Sequence, residues 1–212
     1  MAFPLLLAAV SLAVDFDRLV TTMIARFGQG SAAIYRDWRK MQEGANSLET
    51  TEKLRRVNEF FNRRIRFGED QEIWGQSEYW ATPMETLGKG AGDCEDFTIA
   101  KYFSLLELSV PNERLRLIYV KARLGGPNSK LVQAHMVLAY YPTPDAEPFV
   151  LDNLITEIRP ASRRPDLIPI FSFNSQGIWQ GAEAGSEPGS GGVGRLSRWQ
   201  ELLARARAEG FE

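Results

Sequence analysis

The chain carries one cysteine, Cys94, and one histidine, His135, among many carboxylates. A thiol performs covalent catalysis when it can be deprotonated, when a base takes and returns its proton, and when a third group orients that base. Cys94 and His135 suit the first two roles, and Asp152 suits the third. Cys94 opens a segment with helical patterning. A helix N-terminus favours a thiolate through its dipole and free N–H groups, and a backbone N–H there can also serve an oxyanion. Each residue alone has a plainer reading: a small buried hydrophobe, a hydrogen-bonded strand residue, a turn former. Cysteine on a helix, histidine on a strand and aspartate on the next strand rarely fall in that order by chance.

The neighbours of the thiol are unusual. Cys94 lies within Asp93-Cys94-Glu95-Asp96. Three carboxylates beside a thiolate raise its pKa and suppress the nucleophile. Two accounts accommodate them. Asp93 and Asp96 cap the helix at its N-cap and third positions, or a hard divalent cation neutralises the cluster. Calcium takes six to eight oxygen ligands, but the spacing is not that of an EF-hand loop, and capping is the commoner explanation.

Composition narrows the alternatives. The chain has 212 residues, 44% hydrophobic and 25% charged, as in an ordinary globular protein. Twenty-five Lys+Arg against 27 Asp+Glu leave a net charge of −2, so there is no strongly basic nucleic-acid footprint. A single cysteine excludes an internal disulfide and any zinc site built from several cysteines. A single histidine excludes a multi-histidine metal site.

The elements that position these groups follow from periodicity. Phe16, Leu19, Val20, Met23, Ile24 and Phe27 mark a first helix stopped by Gly28 and Gly30. Ile34, Trp38 and Met41 mark a second, ended by Gly44. Ser47 is expected to cap a third, with Leu54, Val57, Phe61 and Ile65 on one face and Arg55, Arg56, Arg63 and Arg64 on a solvated one. Residues 66–92 read as irregular, apart from a short helix with Thr82 at N-cap, Pro83 at N1 and Glu85 at N3. The loop Gly88-Lys89-Gly90-Ala91-Gly92 lacks the ending and preceding strand of a phosphate loop. A helix runs from Cys94 to Leu108, and Pro111 closes its end.

Three strands follow, at 115–124, 133–141 and 148–154, with turn chemistry at 142–147. Helices followed by an antiparallel sheet argue an α+β fold. If Tyr141 stands opposite Pro148, then His135 faces Leu154 and Asp152 faces Val137. His135 and Asp152 then share a sheet face as diagonal neighbours, roughly 7–8 Å apart. A slip of one residue would separate them.

Residues 2–14 form an uncharged apolar run of signal-peptide length with a small-x-small pattern at Ser11-Leu12-Ala13, though without a basic start. We read 1–14 as a truncated secretory signal and 15–180 as the folded domain. Residues 181–194 read as a flexible Gly/Ser-rich linker, and 195–212 as a C-terminal amphipathic helix carrying Leu196, Trp199, Leu202 and Leu203.

The motif residues resemble those of the bacterial transglutaminase-like cysteine proteinases. The resemblance rests on Tyr79 to Leu87, on Gly90-Ala91-Gly92-Asp93-Cys94-Glu95-Asp96-Phe97, on Ala100-Lys101-Tyr102, on His135 to Leu138 and on Leu151-Asp152-Asn153, and it spans roughly 30–180. It implies a transglutaminase-like, papain-like fold and a periplasmic endopeptidase with Cys94 as nucleophile, His135 as base and Asp152 as its orienter. It also implies a calcium ion held near the active-site helix by Asp93, Glu95 and Asp96. The implied substrate is the N-terminal region of a large surface adhesin, whose release controls biofilm attachment. The implied regulator is an inner-membrane cyclic-di-GMP receptor of the LapD type. Acyl transfer to an amine uses the same triad and stands as the alternative, as does a binding module that has lost catalysis. Trp80 is a candidate wall of the cleft or a donor to the oxyanion, beside the Cys94 N–H.

Overall fold

The computed structural model describes residues 16–125, 129–185, 189 and 196–211. The segment read as a secretory signal, and much of the one read as a linker, lie outside the described residues.

Helices α1 (Phe16–Phe27), α2 (Ser31–Ala45) and α3 (Thr50–Arg64) form where apolar periodicity places them. One correction concerns the start of α3. Its N-cap is Glu49, which makes no side-chain cap, while Ser47 is absorbed by the turn in which Leu48 N–H donates to Ala45 O. The arginine face of α3 is exposed and paired locally, Arg55 with Glu52 and Glu59, and Arg56 with Glu52.

The segment read as irregular contains more order than its composition suggests. Strand β1 (Arg66–Phe67) pairs in parallel with β2 (Ala91–Gly92), flanking α4 (Asp70–Ile73) and α5 (Pro83–Lys89). Thr82 caps α5 with the expected reciprocal box: Glu85 N–H donates to Thr82 Oγ1 at 3.2 Å, and Thr82 N–H to Glu85 Oε2 at 2.9 Å. The glycine loop is the end of this helix. Gly90 takes the left-handed conformation, φ +61°, that closes α5. A Cβ on Gly92 would lie 2.6 Å from the Asp96 Cβ, so only glycine lets β2 pack this closely on the next helix.

That helix, α6 (Cys94–Glu107), is buried along most of its length and lies against a six-stranded antiparallel sheet. The strands are β3 (Leu115–Arg123), β4 (Val132–Tyr140), β5 (Phe149–Leu151), β6 (Arg159–Pro160), β7 (Leu167–Phe173) and β8 (Ile178–Gln180), in spatial order β6-β5-β4-β3-β7-β8. The sequence indicated three strands. It missed β7, whose Pro169 argues against a strand but sits at the register shift beside Val120. The β4–β5 register is the expected one, with Leu138 opposite Leu151 and Tyr140 opposite Phe149. Strand β5 is shorter than expected and ends one residue before Asp152.

One sheet face, with Leu115, Leu117, Met136, Leu138 and Leu151, joins the helices in the main core. The other carries Ile118, Val120, Val137, Ala139, Tyr141 and Val150. The last helix, α7 (Ser197–Glu209), belongs to the main core: Trp199, Leu202 and Ala206 are fully buried there. No helix of the described residues is long and apolar enough to cross a membrane.

Candidate active site

Alternation along β4 puts His135 on the same face as Val137, away from Met136 and Leu138. The β4–β5 register brings Asp152 to that face. The two side chains meet there, with His135 Nε2 2.8 Å from Asp152 Oδ1, and both are buried. A carboxylate accepts only, so the ring proton sits on Nε2 and Nδ1 is left as the basic nitrogen.

Asp152 is held on every side. Oδ1 also accepts from the Leu154 N–H at 3.0 Å, and Oδ2 accepts from Arg164 Nη2 at 2.7 Å. Asn62 on α3 donates to the Asp152 carbonyl at 2.7 Å. Burial by itself would raise this carboxyl, but the hydrogen bonds and charges of His135, Leu154 and Arg164 outweigh it and hold it at about 2. Lys101 on α6 is buried nearby. Desolvation pulls its ammonium down to about 7, against the attraction of Asp152. Arg164 followed no signal in the sequence: it comes from the segment between β6 and β7, which has little periodicity.

Cys94 is the first residue of α6, as expected. Asp93 is its N-cap, accepting from the Glu95 and Asp96 N–H groups at 3.2 and 3.4 Å. Thr98, one turn on, donates to Cys94 O at 2.8 Å and to Met136 O at 3.0 Å, which fixes the helix start against the residue after His135. The thiol itself donates to Glu95 Oε2 at 2.7 Å. Burial pushes the Cys94 thiol well up, and the charges of Glu95 and Asp93 push it further, against the Met136 N–H, which lowers it. Cys94 and His135 are thus brought onto adjoining backbone, with the sulfur turned to Glu95 rather than to the imidazole.

The acidic neighbours separate into two groups. Glu95 binds the thiol. Asp93 and Asp96 join Asp70, with ligand-capable atoms of all three within 4.8 Å of one another. Asp70 lies in the stretch read as irregular, and nothing local in the sequence tied it to Cys94. Burial raises all three carboxyls, the charge of neighbouring Glu95 adds to it in each, and Asp93 is pushed up to about 9. Asp96 Oδ2 and Asp70 Oδ1 are buried and have no hydrogen-bond partner. Buried acceptors without donors are costly, and three converging carboxylates are a donor set that suits a hard divalent cation. The other oxygens of the cluster organise the cleft wall: Asp96 Oδ1 accepts from the Ala81 N–H at 2.8 Å, and Asp70 accepts from the Tyr79 N–H.

Between those two anchored amides stands Trp80. It stacks on Phe173, with ring centroids 5.8 Å apart. With Glu95, Tyr119, Phe171 and Arg198 it lines a cleft of about 390 Å3 beside the thiol. The Trp80 carbonyl accepts from Arg205 of α7 at 2.6 Å, and Arg205 also pairs with buried Glu85 at 2.5 Å. The C-terminal helix therefore braces the wall of the cleft.

A thiol at a helix N-terminus, an imidazole with a free Nδ1 and a fixed carboxylate, beside an aromatic cleft, are the parts of a nucleophilic acyl-transfer site. Known proteins agree with that reading. Residues 30–180 match the family model described as bacterial transglutaminase-like cysteine proteinase. Among solved structures, Legionella pneumophila LapG matches with a TM-score of 0.74 at 33% identity, over 90% of this chain and 97% of that one. Its EGTA-treated form gives 0.76 at 34% identity over the same shares. Its calcium-bound form gives 0.73 at 36%, over 88% of this chain and 96% of that one. No curated protein matches the chain.

Proposed function

Since the chain belongs to the bacterial transglutaminase-like cysteine proteinases and is a cysteine peptidase, we propose that it is a calcium-dependent endopeptidase of the periplasm that cuts the N-terminal region of a large surface adhesin. Its triad is Cys94, His135 and Asp152. The observation that carries the triad is the buried 2.8 Å contact of His135 with Asp152 on the strand against which the Cys94 helix is fixed.

The chemistry follows from the atoms. His135 Nδ1 takes the thiol proton once Cys94 leaves Glu95, and the thiolate attacks the scissile carbonyl. Asp152 keeps the Nε2–H tautomer and stabilises the imidazolium that forms. The Cys94 N–H donates to the oxyanion, and Trp80 walls the cleft. The imidazolium then protonates the leaving amine, and water hydrolyses the thioester with His135 as base.

Asp70, Asp93 and Asp96 would hold the calcium, in keeping with the calcium-bound form of the Legionella relative. A bound ion would supply positive charge to this buried acidic cluster, in which Asp93 caps the helix start and Asp96 holds the Trp80 wall through the Ala81 N–H. The apolar run at 2–14 supports a secreted location, where a lone cysteine cannot be locked in an internal disulfide and its thiol stays available. An inner-membrane cyclic-di-GMP receptor of the LapD type is the regulator we expect with such a protease.

The test is cleavage of a candidate adhesin N-terminal fragment with calcium, with a chelator, and with Cys94→Ala. Cutting by the wild type in calcium alone is the expected result. Cutting that survives the chelator removes calcium from the mechanism. Incorporation of an amine in place of hydrolysis makes the enzyme an acyl transferase, and cutting by Cys94→Ala overturns the thiol mechanism.

A further inference from the structure

Asp152 must present one particular oxygen to His135, yet a carboxylate on a single rotatable bond has no preference of its own. Strand β5 ends at Leu151, so the sheet ladder does not hold Asp152 either. The Leu154 N–H donates to Oδ1 at 3.0 Å, and the other oxygen, Oδ2, is held by Arg164, with a side chain only 1% exposed. Its Nη2 donates to Asp152 Oδ2 at 2.7 Å and to Asp166 Oδ2 at 2.8 Å, and its Nε donates to Asp166 Oδ1 at 3.0 Å. Asp166 thus grips two nitrogens of the guanidinium and sets its plane, and the guanidinium sets the plane of Asp152. The other cation near Asp152, Lys101, makes no hydrogen bond to it among the described residues.

We propose that Arg164 is a positioning residue for catalysis, which, oriented by Asp166, locks the Asp152 carboxylate so that His135 stays in its Nε2–H tautomer and keeps Nδ1 as its proton-accepting nitrogen. This rests on the reading of Cys94, His135 and Asp152 as the triad. A planar, forked donor is needed because one group must bridge two carboxylates in fixed geometry, which a lysine cannot do as well. The effect on the reaction is indirect: Arg164 touches neither substrate nor sulfur, and it acts on the imidazole through Asp152.

The single histidine makes the test direct, since only one imidazole contributes to a long-range 15N spectrum of the full chain. In the calcium-loaded wild type, we expect one Nε2–H tautomer. In folded Arg164→Met, we expect the two ring nitrogens to converge as tautomers mix, with kcat on the cleaved fragment down by ~10-fold or more and KM unchanged. Arg164→Lys should restore part of both signals, and Asp166→Asn should fall between it and the wild type. If Arg164→Met does not fold, Arg164→Lys carries the test by the same two readouts. A folded variant at Arg164 with the wild-type tautomer and kcat overturns the proposal. Asp152→Asn separates this from failure of the triad itself. If it too leaves tautomer and turnover unchanged, the triad reading falls and the proposal with it; if only Asp152 matters, the proposal falls alone.

Discussion

His135 Nε2 and Asp152 Oδ1 stand 2.8 Å apart, with Asp152 just beyond the end of the strand that aligns it. The ladder brings the two residues to one sheet face, and side-chain hydrogen bonds complete the contact. Substitution of Asp152 therefore tests both activity and structure. Asp152→Asn should lower kcat by ~10³-fold or more, because an amide cannot enforce the same tautomer. It should also destabilise the fold by about 3 kcal/mol, because Arg164 loses a buried partner. Steady-state kinetics and urea unfolding on one preparation check both effects.

The same pair sets an acid limit. The Asp152 carboxyl lies at about 2 in the fold, against 3.8 ordinarily. A depressed carboxyl contributes stability that is fully present above its unfolded value and is lost as pH falls through its folded value. The shift corresponds to about 2 kcal/mol, lost between roughly pH 4 and pH 2. Urea midpoints across that window should fall steeply for the wild type and less steeply for Asp152→Asn.

Calcium should raise the melting temperature, since an ion that binds only the folded chain stabilises by about 2.7 kcal/mol at a hundredfold excess over Kd. For a chain of this size, that is a shift of roughly 5–10 °C. Asp70→Asn and Asp96→Asn should abolish the shift. Glu95→Gln should keep it, because Glu95 Oε2 accepts from the thiol and Glu95 is not among the three converging carboxylates. A Glu95→Gln protein that no longer responds to calcium would place Glu95 among the ligands. Thermal melts with calcium and with chelator decide the matter.

The C-terminal helix should prove integral to the domain. Trp199 is fully buried, within 6.3 Å of the Tyr102, Phe103 and Phe173 rings by centroid, and its indole N–H donates to Asn174 O at 3.2 Å. Trp199→Ala should cost about 3–5 kcal/mol. A loss under about 1 kcal/mol, read from urea unfolding, would mean that α7 is a detachable tail.

Local rules made much of this protein legible. The box at Thr82 and Glu85, the helix beginning at Cys94 and the alternation of β4 depend on short-range sterics and hydrogen bonding, which neighbouring residues determine by themselves. The β4–β5 register was legible for the same reason: a short turn-forming segment between two β-rich runs leaves few pairings, and burial of one face selects among them. The proposed nucleophile and base followed because the chain offers a single thiol and a single imidazole, and the strand register then pointed to Asp152 as the proposed orienting acid. The tertiary structure alone brought Asp70 to Asp93 and Asp96, Arg164 to Asp152, and Arg205 to the wall of the cleft. It also turned Glu95 onto the sulfur and recruited β7, despite its proline, as the partner of β3. Apart from Glu95 on its neighbour Cys94, those contacts join residues well separated in the chain. Their geometry is decided by how helices and sheet close-pack and by which buried charges then find partners, and no periodicity in the sequence encodes it.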